Sequence, residues 1–301
     1  MNELAIHSKI IQARQFAEDG KILHAIQELE AVVRDVPSSE AAWWELAHLY
    51  IDGRRYAAAE RTIVRAVAVV RNKVQFDFLL AKLHFVNGEK GKALVELTRL
   101  DGNADTLSIP LRAEVSFYLG IIERDRNRHS AAEMMFTRTR ALEPQFPRIN
   151  ESIAELQFVR GALNEADANL ERAVVIDPTS WFAFHLKGMI QMKRGKTAEA
   201  LQHFETAVDL NPDESSLWEK CGEALLLLER CDEAERYLRK AMKMNDKHVD
   251  TLVTFGRLLV RKRQFADARE MISQALHLEP ANKEARAVQR EIEQYEREKS
   301  R

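Results

Sequence analysis

Eight alanines recur at a nearly constant interval along the 301-residue chain, and this interval constrains the fold more than any other feature. The step is 34 residues everywhere except between the third and fourth alanines, where it is 39. A large apolar residue follows each alanine by four positions, and Ala or Gly precedes it by twelve. The registered alanines are Ala25, Ala59, Ala93, Ala132, Ala166, Ala200, Ala234 and Ala268. One structural unit is therefore repeated eight times, and each unit is expected to pack on its neighbours.

Each unit is predicted to form two helices, because apolar residues recur at three- and four-residue spacing on both sides of a turn signal. Glycines in these turns, such as Gly20 and Gly88, suit the left-handed end of a helix. Prolines between units, such as Pro178 and Pro212, end the second helix. The small residues let the two helices approach closely, and the large residue one turn later fills the space beside that contact. No segment alternates with period two for long enough to predict a strand.

Spacing and residue types together resemble the tetratricopeptide repeat family. The second unit shows its pattern as Trp43, Leu46, Ala47, Tyr50, Ala59, Ile63 and Ala66, and the fifth and sixth units keep the terminal prolines. The resemblance implies an all-α fold, a right-handed superhelical solenoid of eight helix-turn-helix repeats with a C-terminal capping helix.

The chain is predicted to divide into four segments. Residues 1–107 hold repeats one to three, residues 108–112 an inserted loop that acts as a hinge, residues 113–282 repeats four to eight, and residues 283–301 the capping helix. The hinge is expected from the 39-residue step, and the cap from the stripe formed by Ala285, Val288, Ile292 and Tyr295 between charged residues.

In the resembled family the first helices line a concave groove that receives an extended peptide or a helix. The side chains that line this groove belong to the residues three positions before, one position after and four positions after the small residue of each unit. This correspondence implies a groove containing Arg14, Trp44, His48, Phe78, Lys82, Phe85, Phe117, Ile121, Glu151, Glu155, Phe158, His185, Met189, Met192, Glu219, Glu223 and Arg257, with Arg261 beside it. The aromatic and methionine members are expected to form an exposed apolar stripe, which marks a partner site. The other interpretation is that they pack between adjacent first helices.

Charge along this groove is ordered, with cations at its start and end and paired glutamates between them. Such an order would hold a complementary partner in one direction, although a solvated mixed-charge surface would give the same pattern. The two glutamate pairs stand one turn apart on one helix, which rarely supports acid–base catalysis. No catalytic residue, metal site or cofactor is predicted, because the histidines and the two cysteines are scattered.

Composition restricts the partners. The net charge of −2 gives no basic field for nucleic acid, and no apolar run is long enough to span a membrane. Two cysteines and the absence of a signal-peptide pattern predict a cytoplasmic protein. We therefore expect a non-enzymatic scaffold or adaptor that binds a peptide segment or a helix of a partner protein. The alternatives are an assembly protein that associates with itself and a chaperone for one client.

Overall fold

The computed structural model describes residues 3–299, and its regular structure is helical throughout. Seventeen α-helices and one short 3-10 helix occur in this range, with no β-strand. The α-helices are α1 Glu3–Glu18, α2 Ile22–Asp35, α3 Glu40–Asp52, α4 Tyr56–Val69, α5 Lys73–Val86, α6 Lys90–Asp101, α7 Ile109–Asp125, α8 His129–Leu142, α9 Ile149–Val159, α10 Leu163–Ile176, α11 Trp181–Lys193, α12 Thr197–Leu210, α13 Ser215–Leu227, α14 Cys231–Met244, α15 Val249–Arg261, α16 Phe265–Leu278 and α17 Lys283–Lys299. The all-α prediction is confirmed.

Helices α1 to α16 follow one another as a first and a second helix joined by a tight turn, in the order that the repeat predicts. The chain divides into two compact units, Met1–Ile149 and Asn150–Arg301, and the division falls at the start of α9. In the first unit, α3 packs on α4, α4 on α5 and α5 on α6. In the second unit, the same alternation runs from α10 to α17.

One residue with a left-handed backbone ends the first helix of each pair. Glycine holds this place in half of the turns, as at Gly20 (φ 76°) and Gly195 (φ 75°), where it adopts the conformation without steric cost. The second pair departs from the predicted turn, because Gly53 has φ −75° and the next residue, Arg54, takes the left-handed conformation (φ 54°). The left-handed residue therefore stands at the same position of every turn, whether or not that residue is glycine.

The predicted contact between small and large residues is present in the core. The registered alanines are fully buried, and so are the aromatic rings of Phe136 and Phe204. A Cβ atom placed on Gly188 would lie 2.5 Å from Cδ1 of Phe204, and one on Gly120 would lie 2.6 Å from Cδ1 of Phe136. These distances are well below van der Waals contact, so each glycine provides the space for the ring that faces it. Trp43, the aromatic residue of the repeat pattern in the second unit, is also buried.

The five extra residues between the third and fourth pairs do not form the predicted loop at 108–112. A 3-10 helix occupies Ala104–Thr106, Leu107 is buried, and α7 already begins at Ile109. Ser108 has the extended backbone of a helix N-cap, and Pro110 stands in the first helical turn, where no intrahelical N–H is needed. The segment therefore starts a long helix, and the hinge remains a prediction.

Helix α17 caps the last pair as predicted. Ala285, Val288 and Ile292 are buried against α15 and α16. The ring of Tyr295 stacks on that of Phe265 with 3.7 Å between centroids, which covers the apolar face of the final pair.

Candidate functional site

The first helices of the first unit meet at a cleft of about 260 Å³, which we call the first-unit cleft. It contains four of the predicted groove residues, Trp44 and His48 from α3 and Phe78 and Lys82 from α5. The remaining lining residues are Gln75, Leu79, Ser108, Pro110, Leu111 and Glu114. Three consecutive first helices and the inserted segment therefore contribute to one concave surface.

The Trp44 side chain forms one wall of this cleft and is held in place by its neighbours. Its ring lies 4.6 Å from the His48 ring and 5.9 Å, edge-on, from the buried Phe76 ring. The His48 Nδ1 atom is 2.9 Å from the Trp44 carbonyl oxygen, one helical turn earlier. These contacts orient the Trp44 ring without a partner, and such preorganisation lowers the ordering cost of binding.

The expected exposed apolar stripe is wrong in the first unit, because its rings pack on one another. Phe78 is only 5% exposed, and Phe85 and Phe117 are half-buried. All three contact Tyr118, with centroid distances of 6.0, 5.1 and 5.8 Å respectively. Tyr118 from α7 fills the space beside α5, which sequence spacing alone does not reveal. The surface that remains accessible is the cleft, where the rings of Trp44 and His48 are partly exposed.

Charge in the first-unit cleft comes from Lys82 and Glu114. The Lys82 Nζ atom stands 5.9 Å from the Tyr118 ring centroid, in a cation–π arrangement. Burial raises the pKa of the Glu114 carboxyl, while Lys82 acts in the opposite direction. Burial likewise raises the pKa of the Tyr118 phenol, so that group stays neutral. The cleft thus offers one ammonium group beside aromatic surface.

Sequence reasoning missed Gln75 and Glu114, although a signal for them exists. Gln75 stands six residues before Ala81, and Glu114 stands six residues before Gly120. The predicted groove positions begin three residues before the small residue, so both residues lie about one helical turn earlier. The stripe on the first helix therefore continues one turn towards its N-terminus.

In the second unit the predicted apolar residues are also covered. The Nζ atom of Lys193 lies 4.0 Å from the Phe158 ring centroid. Met189 and Met192 are half-buried and pack against the core around α11 to α16. The stripe is therefore only partly exposed here, because Lys193 of the following first helix covers Phe158 and the two methionines pack on the core.

Two of the predicted groove carboxylates are buried, so the expectation that they face a partner is wrong. Glu151 accepts a hydrogen bond from the Ser180 hydroxyl at the start of α11. Glu219 is 1% exposed, accepts a hydrogen bond from the Thr254 hydroxyl (2.7 Å) and lies 3.2 Å from the Lys220 ammonium. Burial raises the pKa of Glu219. These carboxylates connect one first helix to the next and satisfy buried donors.

His185 lies half-buried on α11, with its ring 5.8 Å from that of Phe204. Burial, followed by the charge of Lys220, lowers the pKa of His185 to about 4. The imidazole is therefore neutral near pH 7 and behaves as a packing group.

Most of the remaining charged groove residues are paired within the protein. Arg14 bonds to Glu45, and Arg257 bonds to Glu284 of α17 at 2.7 Å. Glu223 accepts a hydrogen bond from Lys220 at 2.8 Å. These pairs weaken the case for a charge order that orients a partner. The other members lie as follows: Ile121 and Glu155 are half-buried on α7 and α9, and Arg261 is exposed at the end of α15.

A second cleft of about 330 Å³ lies between α13, α15 and α17 in the second unit. Its lining includes the charged residues Glu223, Arg257 and Arg261 and the apolar residues Leu226 and Val260. Within residues 3–299, no three His, Cys, Asp or Glu side chains converge as metal ligands would.

Comparison with known proteins agrees with this geometry. Two sequence patterns described as tetratricopeptide repeat match the chain, one at residues 12–68, 45–105 and 185–247 and the other at residues 225–292. The chain belongs to the tetratricopeptide repeat family. As a tetratricopeptide repeat protein it is a protein-interaction scaffold, and the family fold is typical of non-catalytic scaffolds.

Solved structures share the fold at low sequence identity. A tetratricopeptide repeat protein of Parabacteroides merdae aligns with a TM-score of 0.62 and 17% identity over 91% of this chain and 99% of its own. PilF of Pseudomonas aeruginosa aligns with a TM-score of 0.60 and 18% identity over 72% and 97%. These similarities establish the repeat fold alone.

Curated relatives match over part of the chain. Human protein O-mannosyl-transferase TMTC1 is 23% identical over 181 residues, and TMTC2 is 26% identical over 96 residues. The match to TMTC1 covers 59% of this chain and 20% of that relative. The match to TMTC2 covers 31% of this chain and 12% of that relative. No helix among the described residues has the length and apolarity that crossing a bilayer requires.

Proposed function

We propose that this scaffold binds a peptide segment or a helix of a partner protein in the first-unit cleft. The observation that carries the proposal is the convergence of α3, α5 and α7 on one concave surface that holds Trp44, His48, Phe78 and Lys82. Its volume of about 260 Å³ suits one large side chain of a peptide better than an entire cofactor, since small-molecule sites usually exceed about 300 Å³.

The chemistry of the cleft favours a peptide with an apolar anchor beside a carboxylate. Trp44 supplies the accessible aromatic surface, and burying one large apolar side chain against it contributes about 1.5–3 kcal/mol. Lys82 supplies an ammonium group at the edge of the same surface. A peptide carboxylate next to the anchor would pair with it and fix the register.

The test uses a peptide selected from a random library on the wild-type protein, with its Kd measured by fluorescence anisotropy. We expect Trp44→Ala and Lys82→Glu each to weaken peptide binding at least tenfold. The control Lys243→Glu reverses the charge of an exposed residue on α14 and should leave peptide binding unchanged. Circular dichroism confirms that each variant is folded. Equal binding by all three variants would refute the cleft as the binding site.

Phe85→Ala provides a further control, because Phe85 contacts Tyr118 and does not line the cleft. We expect this variant to lower stability more than affinity. The opposite result would move the binding surface towards the aromatic cluster around Tyr118.

Self-association is a second proposed function, favoured by apolar exposure at the first helix pair. Leu4 on α1 is 81% exposed and Leu23 on α2 is 67% exposed. Contact between these side chains of two copies would bury them. Light scattering over a dilution series should show a dimer that Leu4→Ser with Leu23→Ser abolishes; a wild-type monomer at every concentration would exclude it.

A further inference from the structure

Helix α4 and the turns at its two ends carry five exposed arginines, two of them on the helix itself, and no ion pair in the described chain neutralises them. Residues 54–73 contain six Lys or Arg residues and one acidic residue, Glu60. The five arginines, all exposed, are Arg54, Arg55, Arg61, Arg65 and Arg71. We call this face the α4 arginine surface. It contrasts with the net charge of −2 of the whole chain.

Nothing in the described part of the chain forms an ion pair with these arginines. Glu60 is directed elsewhere, since its Oε1 atom lies 3.5 Å from Nε2 of the buried His84. Two exposed arginines on other second helices are paired, in contrast: Arg99 with Asp77, at 2.9 Å, and Arg239 with Glu235, at 2.6 Å. The α4 arginine surface therefore keeps its guanidinium donors available to an outside acceptor.

Two of these guanidinium groups are held in position by aromatic rings. The Arg65 guanidinium carbon lies 5.2 Å from the Trp43 ring centroid, and that of Arg55 lies 5.1 Å from the Tyr50 ring centroid. Both rings belong to the buried face of α3. Such cation–π contacts fix the arginine stems while the N–H groups remain free for carboxylates.

The residues between the arginines indicate the shape of the acceptor. Ala57 and Ala68 are exposed and small, and Val64 is 54% exposed. Together with Arg61 and Arg65, they follow the three- and four-residue spacing of one helix face. A second helix can approach closely over the alanines, pack on Val64 and align carboxylates of the same spacing with the arginines.

We propose that the α4 arginine surface binds an acidic helix of a partner protein, one with Glu or Asp at three- and four-residue spacing. Nucleic acid is the weaker candidate, because the exposed members of this face include no aromatic side chain on which a base could stack. The proposal is independent of the first-unit cleft, since it concerns a second helix and a different chemistry.

The test measures fluorescence anisotropy of a labelled, alanine-based 21-residue peptide with glutamates along one helix face. A peptide of the same composition, with glutamates distributed around the helix, controls for charge alone, and a labelled 20-nucleotide oligothymidylate tests nucleic acid. We expect the one-face peptide to bind at least fivefold more tightly than the other two probes at low salt. Equal binding of the two peptides, or tighter binding of the oligonucleotide, would overturn the proposal.

Variants localise the surface. Arg61→Gln with Arg65→Gln should weaken the one-face peptide at least tenfold, and the matched control Arg236→Gln with Lys243→Gln on α14 should leave it unchanged. Arg61→Lys with Arg65→Lys should give an intermediate affinity, because lysine keeps the charge and loses the bidentate geometry. The arginines are exposed, so folding is retained, and circular dichroism verifies this. An unchanged affinity of the Arg61→Gln and Arg65→Gln variant would also overturn the proposal.

Discussion

Replacement of Gly188 by alanine tests whether the small residues of the repeat exist to admit a large neighbour. The added Cβ would lie 2.5 Å from Cδ1 and 2.9 Å from Cζ of Phe204, whereas carbon atoms in contact normally stand about 3.5–4.0 Å apart. The Phe204 ring is fully buried and must move by about 1 Å in a packed interior. Such overpacking costs about 1–3 kcal/mol.

Helix propensity acts in the opposite direction. Alanine is favoured over glycine in a helix interior by about 1 kcal/mol. We therefore expect Gly188→Ala to lower the free energy of unfolding by up to about 2 kcal/mol, measured by urea denaturation with circular dichroism at 222 nm. Gly91, in the first turn of α6, is the control, because no atom outside its own helix stands within 4 Å of the added Cβ. Gly91→Ala should be neutral or stabilising.

A double mutant separates crowding from other causes. Leucine stands opposite alanine in the third and fifth repeats, at Leu97 and Leu170, so Phe204→Leu should relieve the clash at Gly188→Ala. The two substitutions should couple by at least about 1 kcal/mol. A Gly188→Ala variant that is stabilised as much as Gly91→Ala and does not couple to Phe204→Leu would refute the packing argument.

Three other predictions follow from individual contacts. Because burial and Lys220 lower the pKa of His185 from 6.5 to about 4, only the unfolded state gains its proton as the pH falls from 6.5 to 4. Stability should therefore decrease over that range by at most about 3 kcal/mol, and His185→Gln should flatten the curve; identical wild-type and variant curves would contradict this. Tyr295→Ala, which removes the ring stacked on α16, should lower the urea midpoint and increase amide exchange in α17 before α13, and a uniform increase would contradict it. Burial raises the pKa of the Cys221 thiol, so a thiol reagent should label Cys231 in the native protein and Cys221 only in denaturant; native labelling of both would be the opposite result.

The sequence predicted the helical framework well, because its periodicity reports local contacts. The alanine at each crossing and the large residue four positions later are buried together in the structure, as with Ala132 and Phe136. The capping helix was predictable for the same reason, since Val288 and Ile292 share one face with Ala285.

The exposure of the groove was not predictable from spacing. Periodicity gives the direction of a side chain but not what covers it, and the stripe expected to be open is covered by Tyr118 near Phe85 and by Lys193 over Phe158. The start of α7 was also missed, because proline in the first turn of a helix has the same sequence signature as proline in a loop. Glu151 likewise carries the signature of a surface residue, although a buried hydroxyl binds it.

The most direct test of the account follows the four tryptophan indole signals in a ¹⁵N–¹H correlation spectrum while a library-selected peptide is added. Trp44 lines the first-unit cleft, whereas Trp43 is buried in the core, and Trp181 and Trp218 belong to the second unit. The account predicts that the Trp44 signal, assigned through Trp44→Phe, shifts progressively and saturates with the peptide while the other three stay in place. Saturation of binding with an unmoved Trp44 signal would contradict it.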